Sequence, residues 1–126
     1  MQKQDLKIST LGHTWILDLD GTLVEHNGYK TGEDKLLAGT KEFIQSIPPE
    51  DFILILTARE LEAKERTIKF LEDNGIRYNQ ILFEMPMGER ILINDNKPSG
   101  LKCAYAITPE RNQGLAEMRF EIDKNL

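Results

Sequence analysis

Two aspartates stand one residue apart in the run DLDGT at residues 18–22, directly after the apolar residues 15–17. The apolar run predicts a buried strand that stops at a glycine turn. Because alternate side chains of a strand share a face, Asp18 and Asp20 are predicted to reach one site. The chain leaving the strand also offers a main-chain carbonyl. Carboxylate and carbonyl oxygens together predict a site for a hard cation such as Mg²⁺.

Two further strand ends are predicted to contribute to the same site. The apolar run 52–56 ends at Thr57, and the run 91–93 ends just before Asp95. Ligands of parallel α/β sheets bind outside the carboxyl ends of the strands, so these residues are expected to lie near Asp18. Asp95 would add a carboxylate, and Thr57 a hydroxyl donor without charge. A carboxylate nucleophile, a carboxylic acid, a hydroxyl donor and a metal ion are the components of phosphoryl transfer.

The motifs DLDGT at 18–22, ILTAR at 55–59 and IND at 93–95 resemble the haloacid dehalogenase superfamily of phosphohydrolases. The resemblance runs from about residue 14 to residue 107, which is most of the chain. The stretch 88–100 also resembles small phosphatases found with bacterial capsule or surface-polysaccharide genes. The resemblance implies an α/β, three-layer Rossmann-like fold with a mainly parallel central sheet.

The resemblance also implies a role for each matching residue. Asp18 would be the nucleophile that forms an aspartyl-phosphate, and Asp20 would be the general acid and then the base that activates water. Mg²⁺ would be held by the carboxylates of Asp18 and Asp95 and by the main-chain carbonyl of Asp20. Thr57 would bind the transferring phosphoryl oxygens. Substrate contacts would come from the two motifs and the loop after the first: Gly21, Thr22, His26, Ala58 and Arg59.

One part of the family pattern is missing, the lysine usually found between the second and last motifs. Met85 stands in the corresponding place. A phosphate and three carboxylates exceed the charge that one Mg²⁺ neutralises, so a cation is still expected. Lys97, two residues after Asp95, is the first candidate for this catalytic role, with Arg90 and Arg59 as substitutes.

The rest of the chain predicts the elements that position these residues. Helices are predicted over 40–47 and 61–74, a loop or hairpin over 24–33, and strands over 15–17, 52–56, 80–83, 91–93 and 104–107. The gap between 83 and 91 is too short for a crossover helix, so the helix usual in such a connection is expected to be absent, and an antiparallel direction stays open for one of the flanking strands. About 40 positions lie on either side of Thr57 between the motifs, too few for a cap domain of about 50 residues. An open site is expected, unless a second subunit closes it in a homo-oligomer.

The 126 residues carry a net charge of -5 with a pI near 5.1 and predict one domain, residues 1–126. No apolar run approaches the roughly 20 residues of a membrane span, and no secretory signal pattern is present, so a cytoplasmic protein is expected. The negative charge disfavours nucleic acid and anionic lipid as partners. The single cysteine excludes a disulfide within the chain.

The expected function is that of a phosphatase for a small sugar, polyol or amino-alcohol phosphate. A phosphatase for a polynucleotide end or another macromolecule is an alternative that the open site favours and the charge disfavours. A phospho-accepting receiver domain has a similar length, but receivers carry the phosphorylated aspartate on a later strand. A catalytically silent relative is the remaining alternative, and Met85 is its main support.

Overall fold

The computed structural model describes residues 4–126. The strands are β1 (Gln4–Ile8), β2 (Thr14–Asp18), β3 (Phe52–Leu56), β4 (Gln80–Leu82) and β5 (Met118–Ile122). The helices are α1 (Gly28–Thr31), α2 (Thr40–Ser46) and α3 (Lys64–Asp73), the last preceded by a 3-10 turn over Leu61–Ala63. The chain is a small α/β protein, and its strands pair in parallel within two sheets. In the part of the chain that the structure describes, no helix has the length and apolar character to cross a bilayer.

The three-stranded sheet has the order β2, β3, β4 and carries the first two motifs. Its middle strand is a continuous apolar run whose residues Ile53 and Ile55 are fully buried, as a strand covered on both faces requires. Asp18 pairs with Leu56 in the parallel register of β2 and β3. Thr57 therefore lies one residue beyond the partner of Asp18, at the same edge of the sheet. The strand near 80–83 runs parallel to β3.

The second sheet pairs β1 with β5 in parallel, from Gln4 opposite Met118 to Ile8 opposite Ile122. The sequence analysis predicted neither strand. Aromatic packing joins this sheet to the rest of the core: the ring centroid of Phe120 lies 4.9 Å from that of Trp15 on β2, and the ring of Phe43 on α2 lies 5.7 Å from Trp15. The first and last strands of the described chain thus pack beside the strand that carries Asp18.

The helices predicted at 40–47 and 61–74 are confirmed by α2 and by the 3-10 turn with α3. The predicted loop at 24–33 contains the short helix α1, and an antiparallel bridge joins Val24 to Leu36. The predicted strands at 91–93 and 104–107 are wrong, because the structure has neither helix nor strand between 83 and 117. Ile91 is 83% exposed and Ile93 is 91% exposed. A run of three apolar residues forms a strand only where a neighbouring strand receives its hydrogen bonds, and here none does.

Candidate active site

Asp18 is the last residue of β2, and its side chain is 46% exposed. The hydroxyl of Thr22 donates a hydrogen bond to Oδ2 at 3.2 Å, and Nη2 of Arg90 lies 3.5 Å from Oδ1. Partial burial raises the pKa of Asp18 above its ordinary value, although the bonds from Thr22 and the Leu19 backbone and the charge of Arg90 act against the rise. The charge of Asp20 adds to it. Of the cations predicted to replace the missing lysine, Arg90 is the one that contacts Asp18.

A tight turn after β2 fixes the direction in which the two aspartates point. The N–H groups of Leu23 and Val24 donate to the carbonyl of Leu19 at 2.9 and 3.1 Å, and all three side chains are buried. Gly21 has a φ of 86°, a left-handed conformation that favours glycine. Among the described residues, no donor bonds to the main-chain carbonyl of Asp20. That oxygen remains available as a ligand.

Arg59 holds the side chain of Asp20 with two hydrogen bonds. Its Nε donates to Oδ2 at 3.0 Å and its Nη2 to Oδ1 at 2.8 Å. The remaining donors reach Asp34 at 2.7 and 3.1 Å and the hydroxyl of Thr67 at 2.8 Å. A guanidinium has five N–H groups, and all of them are used. The ring of Tyr29 covers the face of this group, with Cζ 4.0 Å from the ring centroid.

The guanidinium of Arg59 is almost fully buried, with 1% of the side chain exposed, and Asp34 beside it is 6% exposed. Burial alone would lower the pKa of Arg59, but the hydrogen bonds and charges of Asp20 and Asp34 raise it above its ordinary value. Arg59 was predicted to contact substrate. The structure instead engages every donor of Arg59 inside the protein, so this residue fixes the orientation of Asp20.

Thr57 and Ala58 follow β3 at the same edge of the sheet. Thr57 is 1% exposed, and its Oγ1 accepts a hydrogen bond from the N–H of Arg59 at 3.1 Å. Its backbone is bonded on both sides, to Leu82 at 3.0 Å and to Met85 at 3.0 Å. The hydroxyl keeps its own proton for donation, as a phosphoryl contact needs. Ala58 is exposed beside it.

Asp95 and Lys97 do not join this group of residues. Both are exposed in the segment 84–117, where Asn94 bonds to the Asp95 carbonyl at 3.0 Å and the N–H of Lys97 bonds to Leu101 at 2.9 Å. Within residues 4–126, neither side chain forms an ion pair or hydrogen bond with Asp18. Only two of the three predicted strand ends meet in the described structure, because the strand expected before Asp95 does not form.

Residues from near the end of the chain complete the rim of the site. Nη1 of Arg111 lies 3.3 Å from Nε2 of His26, a predicted substrate contact, and Oδ1 of Asn112 accepts from the His26 N–H at 2.7 Å. The Arg111 side chain also packs against Gly21, where an added Cβ would lie 3.2 Å from its Cγ. The sequence analysis missed both Arg111 and Asp34. Each is a single charged residue in a loop, so no periodicity or motif marks it.

No protein-family model matches the sequence, and neither a curated protein nor a solved structure matches it. Function is therefore inferred from the chemistry of the residues described above. The residues gathered at the edge of the sheet are Asp18, Asp20 and Thr57, with three arginines in different surroundings, Arg59, Arg90 and Arg111.

Proposed function

We propose that the protein is a Mg²⁺-dependent phosphomonoester hydrolase that works through an aspartyl-phosphate on Asp18, in a capless domain of the haloacid dehalogenase type. The observation that supports it most is that Asp18, Asp20 and Thr57 follow two adjacent parallel strands at one edge of the sheet. The proposed substrate is a small sugar, polyol or amino-alcohol phosphate. The resemblance of residues 88–100 suggests a precursor of a surface polysaccharide.

In the first step the carboxylate of Asp18 attacks phosphorus and the bond from phosphorus to the ester oxygen breaks. Asp20 gives its proton to the leaving oxygen, so the alcohol departs neutral. In the second step Asp20 takes a proton from water, which attacks the phosphorus of the aspartyl-phosphate. Inorganic phosphate leaves and Asp18 is restored. The Thr22 hydroxyl orients Asp18 in both steps.

Arg59 acts in this scheme as a positioning residue for Asp20. Each carboxylate oxygen has two lone pairs, and Arg59 uses one on each oxygen. The other lone pair of each oxygen stays free to accept a proton from water in the second step. Asp34 and Thr67 fix the guanidinium in turn. The general acid is therefore held in one orientation before substrate arrives, which lowers the cost of reaching the transition state.

The donors present are of the class that Mg²⁺ prefers, namely the exposed carboxylate of Asp18 and the free main-chain carbonyl of Asp20. When bound, the ion would neutralise charge on the phosphoryl oxygens. Asp95 would serve as a further ligand if the segment that carries it moved to the end of β2. Arg90 supplies, beside Asp18, the positive charge for which Lys97 was the first candidate.

Hydrolysis of an aryl phosphate, with Mg²⁺ and with a chelator, tests this function in the wild type and in Asp18→Asn. We expect metal-dependent turnover that falls about a thousandfold or more in the variant, since the amide is a poor nucleophile. Asp73→Asn is the control, because Asp73 is exposed on α3 and paired only with Lys69. If neither the wild type nor Asp18→Asn hydrolyses sugar, polyol or amino-alcohol phosphates, a catalytically silent relative is favoured. A phosphoprotein that persists after treatment with acetyl phosphate would favour a receiver.

A further inference from the structure

Arg111 carries a positive charge at the rim of the site with no carboxylate to pair it. The residue is exposed, and within residues 4–126 no ion pair includes it. Its guanidinium contacts His26 instead, at 3.3 Å. Its stem packs on Gly21, the residue that follows the proposed general acid Asp20. Arg111 therefore lies beside the turn that carries Asp20, the residue proposed to protonate the leaving group.

The backbone that carries Arg111 is held firmly. The N–H of Asn112 donates to the carbonyl of Gly21 at 2.8 Å. Gly39 and Gly114 have φ values of 81° and 84°, and a Cβ added to either would collide with the backbone of the opposing segment. Two chain segments thus meet at a distance that only glycine allows. This contact fixes where the side chain of Arg111 begins, so its place beside Gly21 is a property of the fold.

His26 shows a second unmatched polar group at the same place. A guanidinium only donates, so a hydrogen bond between these groups requires Nε2 of His26 to accept, with the ring proton assigned to Nδ1. Nδ1 is buried and has no hydrogen-bond partner among the described residues. Buried polar atoms are nearly always paired, so an unpaired one needs an explanation. An anion bound by Arg111 would release the imidazole, which could then turn an N–H toward the same anion.

We propose that Arg111 and His26 form a subsite for a second anionic group of the substrate, a carboxylate or a further phosphate, attached to the leaving group. This inference rests on the proposed phosphatase function. The planar fork of a guanidinium binds such groups with two parallel hydrogen bonds. A chain of net charge -5 repels a substrate with two anionic groups, so a local cation beyond Arg90 is needed to admit it.

Matched substrates test the subsite: glycerol 3-phosphate, 3-phosphoglycerate and 2,3-bisphosphoglycerate. The second adds a carboxylate, and the third a further phosphate. In Arg111→Ala we expect kcat/KM to fall on the order of 10- to 100-fold for the two compounds that carry anionic groups besides the first phosphate, and by less than about threefold for glycerol 3-phosphate. Arg111→Lys keeps the charge but loses the planar fork of donors, so its kcat/KM for these compounds should lie between those of the wild type and Arg111→Ala. Arg119→Ala, an exposed arginine on β5, is the matched control.

The outcomes separate the subsite from the proposed function. Equal losses on all three substrates, or no loss, would overturn the subsite while leaving the phosphatase intact. If no phosphate is hydrolysed by the wild type, the phosphatase fails, and the subsite is judged by binding. Wild type should then gain more in thermal unfolding midpoint from 3-phosphoglycerate than from glycerol 3-phosphate, and Arg111→Ala should lose the difference. Identical midpoints with both compounds would overturn the subsite as well.

Discussion

Each of the two aspartates faces an arginine, and the two ion pairs lie in different surroundings. Arg59 is 1% exposed and contacts Asp20 at 2.8 Å, whereas Arg90 is 40% exposed and lies 3.5 Å from Asp18. Water and salt screen an exposed pair, so it contributes little to stability. A buried pair is costly to break, because the remaining charge is left without solvent. Arg59 is thus part of the fold, and Arg90 has the exposure that the proposed binding of a phosphoryl group requires.

The residue that makes the difference is Asp34. A guanidinium beside one carboxylate would keep donors for substrate, but Asp34 takes two of the donors of Arg59. Among residues 4–126, no carboxylate other than that of Asp18 pairs with Arg90, whose other hydrogen bonds go to exposed carbonyls of its own segment, at Pro86 and Gly88. The second carboxylate, Asp34, is thus what distinguishes the two arginines: the donors of Arg59 are used to position Asp20, whereas Arg90 keeps donors with which it could bind a ligand.

The largest effect is expected from Arg59→Ala. The variant leaves Asp20 and Asp34 partly or fully buried without their cation, and we expect the free energy of unfolding to fall by about 3–5 kcal/mol. Urea unfolding measures this. Arg66→Ala is the control, because that guanidinium lies 5.2 Å from the centroid of the same Tyr29 ring but is exposed. It should cost under about 1 kcal/mol. Similar losses in the two variants would contradict the distinction.

A smaller loss in the free energy of unfolding is expected from Asp51→Asn. This variant tests whether a second buried contact, outside the candidate site, also stabilises the fold. Asp51 is 2% exposed and lies 2.7 Å from Nδ1 of His13 and 2.9 Å from Nε1 of Trp15. Burial alone would raise the pKa of Asp51, but the bonds from Trp15 and His13 and the His13 charge lower it. We expect a loss of about 2 kcal/mol at neutral pH.

The pH dependence of the loss in Asp51→Asn shows whether the charge of Asp51 causes it. Because the folded-state pKa of Asp51 is lowered, the carboxylate stabilises the fold above the ordinary value near pH 4. This contribution disappears as the pH falls through the lower folded-state value. The difference in free energy of unfolding between wild type and Asp51→Asn should therefore shrink below about pH 4. A difference that stays constant down to the acid transition would show that lost packing, and not charge, is responsible.

The smallest effect on stability, and a distinct one on rate, is expected from Arg90→Gln. The free energy of unfolding should change by less than about 0.5 kcal/mol, because the pair is exposed. The charge of Arg90 lowers the pKa of Asp18, so its removal raises that pKa further. The nucleophile must be ionised, so the acid limb of the profile of kcat/KM against pH should move to higher pH. We also expect a drop in kcat of about tenfold.

Lys97→Met is the matched control for that variant, since Lys97 is exposed and its side chain has no contact with Asp18 in the described part of the chain. It should change kcat by less than about twofold. High salt should bring the wild type toward Arg90→Gln, because it screens the exposed pair. A larger loss in Lys97→Met than in Arg90→Gln would reverse the comparison and make Lys97 the catalytic cation.

The sequence predicted those elements whose apolar pattern is long or bounded by clear stops. The continuous run of β3, the spacing of Phe43 and Ile44 in α2, and the glycine after α3 all led to elements that the structure confirms. Two of the three predicted strand ends, those at Asp18 and Thr57, followed from the same reasoning. The segment of β5 also has a strand pattern, since Met118, Phe120 and Ile122 alternate with charged residues, although β5 is not among the predicted strands.

The remaining features depend on contacts between distant residues, which a single sequence does not mark. The composition of the run 91–93 is typical of a strand, yet no neighbouring strand forms hydrogen bonds with it in the described part of the chain. Asp34 and Arg111 are charged loop residues whose importance comes only from what lies beside them, Arg59 and Gly21. Motif position assigned Arg59 to substrate, and only the presence of Asp34 shows that its donors are already used.

The pairing of β1 with β5 and the contact of Asn112 with Gly21 set an order of events during synthesis. On the ribosome, the turn with Asp18 and Asp20 emerges early, but the residues that close its rim are translated about 90 positions later. Contacts of such sequence separation form slowly, because a long loop must close first. A nascent chain therefore keeps the turn with Asp18 and Asp20 without its rim until Asn112 and the residues of β5 have been synthesised.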